Sequence, residues 1–256
     1  MPELFVEIFV FIIAAVIGSF LNVCILRIPL GASIVYPPSS CPSCKAKIRG
    51  YDNIPILSYL ILRGACRNCK ESISIRYPFI EALSAVLALL LYEKFGLGPD
   101  FFVFTLLTFA LVVITFIDFD HQIIPDRVSV SGIPLGFLAS LLLTRTTYID
   151  SIIGILAGGG FLLFIALFYH FIFKKEGMGG GDIKLLAMIG AFVGWQGVIF
   201  VVFFSSLVGS IAGILYIVLS GKGAKSPIPF GPFLALGAYV YLLVGTELID
   251  LYLVSL

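Results

Sequence analysis

The 256-residue chain is 60% hydrophobic and only 12% charged, with a mean hydropathy of +1.11. That balance excludes an ordinary soluble domain and marks an integral membrane protein. A net charge of +1 gives nucleic-acid binding no support.

The chain opens on an apolar run, Met1 to Leu26, that begins with Glu3 and Glu7 instead of lysine or arginine and has no small-residue cleavage site. It is expected to be a retained helix. A membrane crossing takes about 20 apolar residues, and the pattern predicts eight candidates, at 4–26, 78–95, 101–119, 127–144, 149–173, 183–195, 196–219 and 229–253. The sixth is short by itself and meets the seventh at Gly194-Trp195-Gln196-Gly197; counting them as one would reverse the C-terminus. The expected fold is an all-α polytopic membrane protein with about eight transmembrane helices. Gly132/Gly136, Gly154/Gly158, Gly190/Gly194 and Gly209/Gly213 are small-xxx-small faces, expected to be helix-packing seams.

Charge orients these spans. Eight of the 16 Lys and Arg lie between Arg27 and Arg76, which makes the first loop cytoplasmic. With eight spans, 14 of the 16 fall inside and only Lys94 and Arg145 outside. Successive crossings then bring Asp118 to Arg127, Lys174 to Lys184 and Lys222 to Lys225 to the same side. The chain divides into a first transmembrane helix at 1–26, a cytoplasmic loop at 27–77 and a membrane-embedded domain at 78–256.

Within the loop, Cys41-Pro42-Ser43-Cys44 and Cys66-Arg67-Asn68-Cys69 form two C-x2-C pairs separated by 21 residues. This spacing lets both thiolates of a pair meet one metal, and four together suit a tetrahedral Zn²⁺ site that folds a loop with little apolar core. Two disulfides or four free thiols are the alternatives; a cytoplasmic loop disfavours the former.

Ionisable residues at membrane depth need a reason. Asp118 ends the third predicted span and Asp182 opens the sixth, and the 64 residues that separate them cross the membrane twice. Even parity returns both carboxylates to one edge. Two close carboxylates share one proton, so one can take a proton from water while the other hydrogen-bonds a scissile carbonyl. Position alone leaves other readings open: helix N-caps, charges at a span end, or the ion-coupling carboxylates of a transporter. Asp182, after four glycines in five positions, suits an N-cap, and Asp126, after Pro125, is expected to cap the fourth span. The glycines would allow left-handed or strained backbone and close approach of another chain.

Gly18-Ser19-Phe20-Leu21-Asn22-Val23, the two cysteine pairs, Asp118 with Ile124-Pro125-Asp126, Gly177 to Lys184, and Pro229-Phe230-Gly231-Pro232 together resemble the type IV prepilin peptidases. The resemblance runs from residue 18 to residue 232. It implies an intramembrane aspartic endopeptidase of the bacterial inner membrane that removes the basic leader of type IV prepilins or type II secretion pseudopilins on the cytoplasmic side. It also implies N-methylation of the new N-terminus with S-adenosylmethionine. By motif position, Asp118 and Asp182 take the catalytic places, and Gly179 and Gly181 are the glycines of G-x-G-D, expected to bind substrate. Cys41, Cys44, Cys66 and Cys69 take the place of the zinc loop. The implied partners are prepilin substrates and membrane lipid. No methyl-donor motif is recognisable; the basic loop and Glu81 are candidates for that chemistry, and Glu81 is equally readable as a buried, paired acid.

Overall fold

The computed structural model describes residues 2–174, 179–220, 229–245 and 247–248. Lys222 and Lys225, and Gly177 and Met178 of the glycine run, lie outside the described residues. Described regular structure is helical, with only two isolated antiparallel bridges, Ser40 to Lys47 and Ala65 to Ser72. The chain forms two units, Met1–Leu97 and Gly98–Leu256.

In the first unit, α1 (Pro2–Arg27) packs against α3 (Arg76–Phe95), with the short α2 (Leu57–Ile61) in the intervening loop. An apolar helix in lipid satisfies every backbone polar group internally, which is why a run such as α1, whose one proline is its first residue, stays helical to its end. The crossing point is Gly18, where a Cβ would come within 2.8 Å of Glu81 Cα. Asn22 Nδ2 donates to Gly18 O at 3.3 Å and to Tyr77 O at 3.2 Å, tying α1 to the start of α3. Cys24 is buried on α1, as a small core residue would be.

The second unit contains α4 (Pro99–His121), α5 (Asp126–Ala139), α6 (Tyr148–Phe173), α7 (Gly180–Ser220) and α8 (Gly231–Val240), the last continuing as a π-turn over Tyr241–Gly245. The α6–α7 pair is its most extensive packing. Helix backbones meet directly there, since a Cβ at Gly154 would lie 2.2 Å from Gly190 O and one at Gly158 would lie 2.5 Å from Leu186 O. Gly132 and Gly136 of α5 likewise face Met188 and Ala191 of α7. Three of the predicted glycine seams are therefore real contacts.

Helix α7 is broken at Gly194, whose φ of 73° and ψ of 178° are not helical. A positive φ is open to glycine without a Cβ penalty, so the division between predicted spans six and seven falls at the glycine that begins Gly194-Trp195-Gln196-Gly197. Among the described residues, four helices are long and apolar enough to cross a membrane: Glu3–Arg27, Pro99–His121, Tyr148–Ile172 and Gly180–Leu219. Helix α5, with Pro134 inside it, ends at Ala139, short of the predicted 144, and α8 with its π-turn is a shorter apolar helix.

The seam yields a matched pair of outcomes. Gly154→Leu should destabilise the protein by about 1–3 kcal/mol or more through overpacking. Gly160→Leu, where a Cβ meets nothing within 4 Å, should leave the melting temperature in detergent unchanged. Equal thermal shifts for the two would remove the seam from the account.

Candidate active site and metal centre

Asp118 lies in the last turn of α4 and is 5% exposed. The helix stops just beyond it, where Gln122 turns left-handed (φ 53°) and returns its N–H to Asp118 O at 2.9 Å. Asp182 is the third residue of α7 and half-buried. Its amide donates to Gly179 O at 3.2 Å, and its Oδ2 lies 3.8 Å from where a Gly179 Cβ would stand. The two carboxylates are close enough to feel each other's charge.

A third helix end completes the arrangement. Gly231, the first residue of α8, donates its N–H to Asp118 Oδ2 at 3.1 Å. Helix N-termini carry unsatisfied N–H groups and a partial positive charge, so both acids sit where an anion is favoured. Only glycine fits at Gly231, because a Cβ there would lie 2.7 Å from Asp118 Oδ2. Pro232, beside it in the first turn of α8, pre-sets the helix start.

Ile124, in the loop between α4 and α5, fills the space between these helix starts. A Cβ at Gly181 would come within 2.9 Å of Ile124 Cβ, and one at Gly231 within 3.3 Å of Ile124 Cδ1. Within the glycine run, Gly181 has no positive φ and is required there by the close approach of Ile124.

Two capping expectations are also corrected. Asp126 makes no cap hydrogen bond at the start of α5 and instead pairs with Lys184 Nζ of α7, at 2.8 and 2.9 Å. Asp182 sits in the first turn of α7, beyond the position an N-cap residue would occupy. The exposed Lys184–Asp126 pair contributes more to register than to stability.

In the first unit, the four cysteines converge so that their Sγ atoms all lie within 4.8 Å of one another. Each pair builds the same small turn. Cys41 N–H bonds Ala46 O at 2.9 Å and Lys45 N–H bonds Cys41 O at 2.9 Å; Cys66 and Glu71, then Lys70 and Cys66, repeat this at 2.8 and 3.0 Å. Lys45 and Lys70, each directly after the second cysteine, take the same positive φ of 59° and 61°. The sequence carries this duplication as C-x-x-C-K-x-x-I, at 41–48 and 66–73. Arg67 of the second turn makes a two-pronged pair with Asp52, at 2.6 Å for its shortest contact, and lies over the Tyr51 ring. The Arg67 guanidinium holds the Asp52 carboxyl below its ordinary range.

Backbone amides of these turns point at sulfur. Those of Cys44 and Ser43 lower the Cys41 thiol, that of Ala46 lowers Cys44, and those of Cys69 and Asn68 lower Cys66. Cys69 has the Glu71 amide acting in the same sense, but desolvation and the three neighbouring sulfurs outweigh it and push this thiol up to about 12. The Cys41–Cys69 sulfur separation is 3.7 Å, whereas four thiolates about 2.3 Å from one tetrahedral ion stand about 3.8 Å apart. The cluster can therefore hold a metal ion such as zinc.

The arrangement defines a class: a helical membrane protein with a carboxylate pair where helix ends converge, and a four-cysteine metal module. The sequence matches the family model for the bacterial peptidase A24 N-terminal domain over residues 12–95 and that for the type IV leader peptidase family over residues 105–214. It is 38% identical over 272 residues to a prepilin leader peptidase/N-methyltransferase of Aeromonas hydrophila, covering 96% of this chain and 93% of that protein. Proteins of the same description from Pseudomonas aeruginosa and Legionella pneumophila are 36% and 34% identical, covering 94% and 93% of this chain and 91% of each relative. No solved structure matches the chain. The chain belongs to the type IV leader peptidase family. The ion-coupled transporter reading of Asp118 and Asp182 finds no support in these relatives.

The Gly231 amide and Ile124 were not assigned roles from sequence. Gly231 directly before Pro232 was visible as a helix-start signal, but Ile124, 57 residues before Gly181 and 107 before Gly231, could not show which helix starts would meet it. At neutral pH, Cys69 is protonated in the metal-free cluster. Adding zinc to chelator-stripped protein should therefore release at least about one proton per ion bound, measurable with an indicator in weak buffer. Zinc uptake without proton release would contradict the electrostatics of the cluster.

Proposed function

We propose that this protein is an aspartic endopeptidase that removes the basic leader of type IV prepilins or type II secretion pseudopilins, and that it also N-methylates the new N-terminus. The observation that carries the peptidase reading is the convergence on Ile124 of the start of α7, which bears Asp182, and the Gly231 amide that holds Asp118, in a chain of the leader peptidase family. One carboxylate takes a proton from water as that water attacks the scissile carbonyl carbon, and the other gives its proton to the developing oxyanion. Collapse of the tetrahedral species breaks the C–N bond, and the leaving amine takes a proton from the dyad. Asp118 Oδ2 is occupied by the Gly231 N–H, which leaves Oδ1 for the water.

Gly179 and Gly181 form the substrate's path in this reading. Gly179 is exposed beside the Asp182 carboxylate and admits an extended backbone, while Gly181 lets the turn close onto Ile124. The chain crosses the bacterial inner membrane eight times, with the active site on the cytoplasmic side and the prepilin's apolar helix lying among the spans. Residues 1–26 form the first span, 27–77 the cytoplasmic zinc module held by Cys41, Cys44, Cys66 and Cys69, and 78–256 the membrane-embedded portion that contains both aspartates. Supporting this orientation is the concentration of Lys and Arg between Arg27 and Arg76. S-adenosylmethionine, when bound, supplies an electrophilic methyl group on a sulfonium sulfur.

Asp118→Asn and Asp182→Asn should each reduce cleavage of a leader-bearing prepilin by at least about 100-fold, with membrane insertion and melting temperature retained. Substantial cleavage by either folded variant would refute the pairing. Gly179→Ala meets only ordinary contact in the folded protein, so it should leave stability unchanged and weaken cleavage. Unimpaired kcat/KM in that variant would remove Gly179 from the substrate path.

A further inference from the structure

Glu81 of α3 is a buried acid for which the peptidase chemistry has no task. Its carboxylate takes a hydrogen bond from the Ser19 hydroxyl of α1 and another from the Ile56 N–H at 2.7 Å. Ile56 directly precedes α2 and is held at φ 61°, a conformation that a β-branched residue adopts only when its surroundings over-determine it. The absence of a Cβ at Gly18 lets α3 approach α1 closely enough for Glu81 to reach both partners. The start of α2 is thereby pinned to the side of α1.

The pin sets a depth. Helix α1 is long and apolar enough to cross a membrane, and Ser19 stands eight residues before its last residue, Arg27. At the helical rise this is about 12 Å along the axis. An arginine at the end of a span extends toward the headgroups, so the start of α2 is held beneath them. Interfacial helices bury their apolar faces at a comparable level, about 5–10 Å into the boundary between headgroups and acyl chains.

The polarity of α2 is inverted to match. Its buried residue is Ser58, whose hydroxyl donates to Tyr51 O at 3.1 Å. Leu57, Leu60 and Ile61, which share one helix face by their spacing, are exposed, the last two at 64% and 67%. A helix that faced water would bury the leucines and expose the serine. The loop that carries this face holds eight Lys and Arg, from Arg27 to Arg76, against two acids, Asp52 and Glu71. That charge complements anionic headgroups.

We propose that α2 is an interfacial anchor. Ile54, Leu57, Leu60 and Ile61 insert among the acyl chains of an anionic bilayer leaflet, Glu81 holds them at that depth, and the four-cysteine module is thereby fastened against the membrane surface. The assignment rests on α1 being a membrane span and is independent of the peptidase chemistry.

The test uses full-length, zinc-loaded protein in vesicles of phosphatidylcholine and phosphatidylglycerol. Leu60→Trp is introduced with Trp195→Phe, which removes the one native tryptophan. Lipids brominated on their acyl chains should quench the Leu60→Trp fluorescence, and aqueous acrylamide should quench it several-fold less than it quenches N-acetyltryptophanamide. Full acrylamide quenching without lipid quenching would overturn the insertion. Shielding from both quenchers would also overturn it, since a second copy or another protein would then cover this face. Amide hydrogen exchange over residues 56–61 should speed up about tenfold or more in Glu81→Ala, which loses a charged hydrogen bond, and stay within about threefold of wild type in Glu81→Gln, which keeps an acceptor for Ile56. Wild-type exchange in a Glu81→Ala protein of normal zinc content would overturn the pin. Either failure leaves the peptidase reading standing, because prepilin cleavage by the aspartate variants tests that reading separately.

Discussion

The second unit depends on the contact between a backbone amide and a carboxylate, Gly231 N–H to Asp118 Oδ2. A buried carboxylate costs several kcal/mol unless the protein replaces its water, and here the replacement comes from the N-terminus of α8. That solution dictates much of the sequence around it. Gly231 must lack a Cβ, Pro232 must start the helix at that point, and Ser205 Oγ of α7 holds α8 in register by bonding Phe233 O at 2.9 Å. Ile124 then spans from Gly231 to Gly181, so the helix that bears Asp182 is aligned by the same side chain. The carboxylate pair is the product of helix ends converging on one isoleucine.

The loop of the first unit solves a different problem. It has little apolar core: Cys41 and Ser58 are buried, while Tyr51, Ile54, Leu57, Leu60 and Ile61 are exposed. Small modules of this kind draw their folding free energy from the metal. The two C-x-x-C-K turns provide the means, since each aims backbone amides at its own sulfurs and leaves the charge accumulated by four thiolates for a cation to neutralise.

Much of this organisation was legible from residue order. Hydropathy located α1, α3, α4 and α6 to within a few residues, whereas α5 stops five residues early and the end of the span predicted at 229–253 lies outside the described residues; glycine spacing marked Gly154/Gly158 and Gly190/Gly194 as packing faces, and these meet between α6 and α7. The cysteine spacing anticipated the four-sulfur cluster, and the sequence pairing of Asp118 with Asp182 anticipated that the end of α4 and the start of α7 would both close on one residue, Ile124. Tertiary facts were not legible. The partner of Asp118 lies 113 residues away on a backbone amide, which no side-chain pattern can announce. Asp126 looked like a cap because it follows a proline, yet Lys184 of another helix claims it. The glycine run suggested unusual torsions or close approach, and at Gly181 the requirement is space for Ile124.

The central claim is that close approach at Gly231 keeps Asp118 in working order beside Asp182. Its most direct test is Gly231→Ala, which adds one methyl group 2.7 Å from Asp118 Oδ2 and 3.3 Å from Ile124 Cδ1. Single-turnover cleavage of a prepilin leader should fall by about 100-fold or more, in a protein whose zinc content and elution from size exclusion match wild type. Cleavage at the wild-type rate in that folded variant would contradict the account.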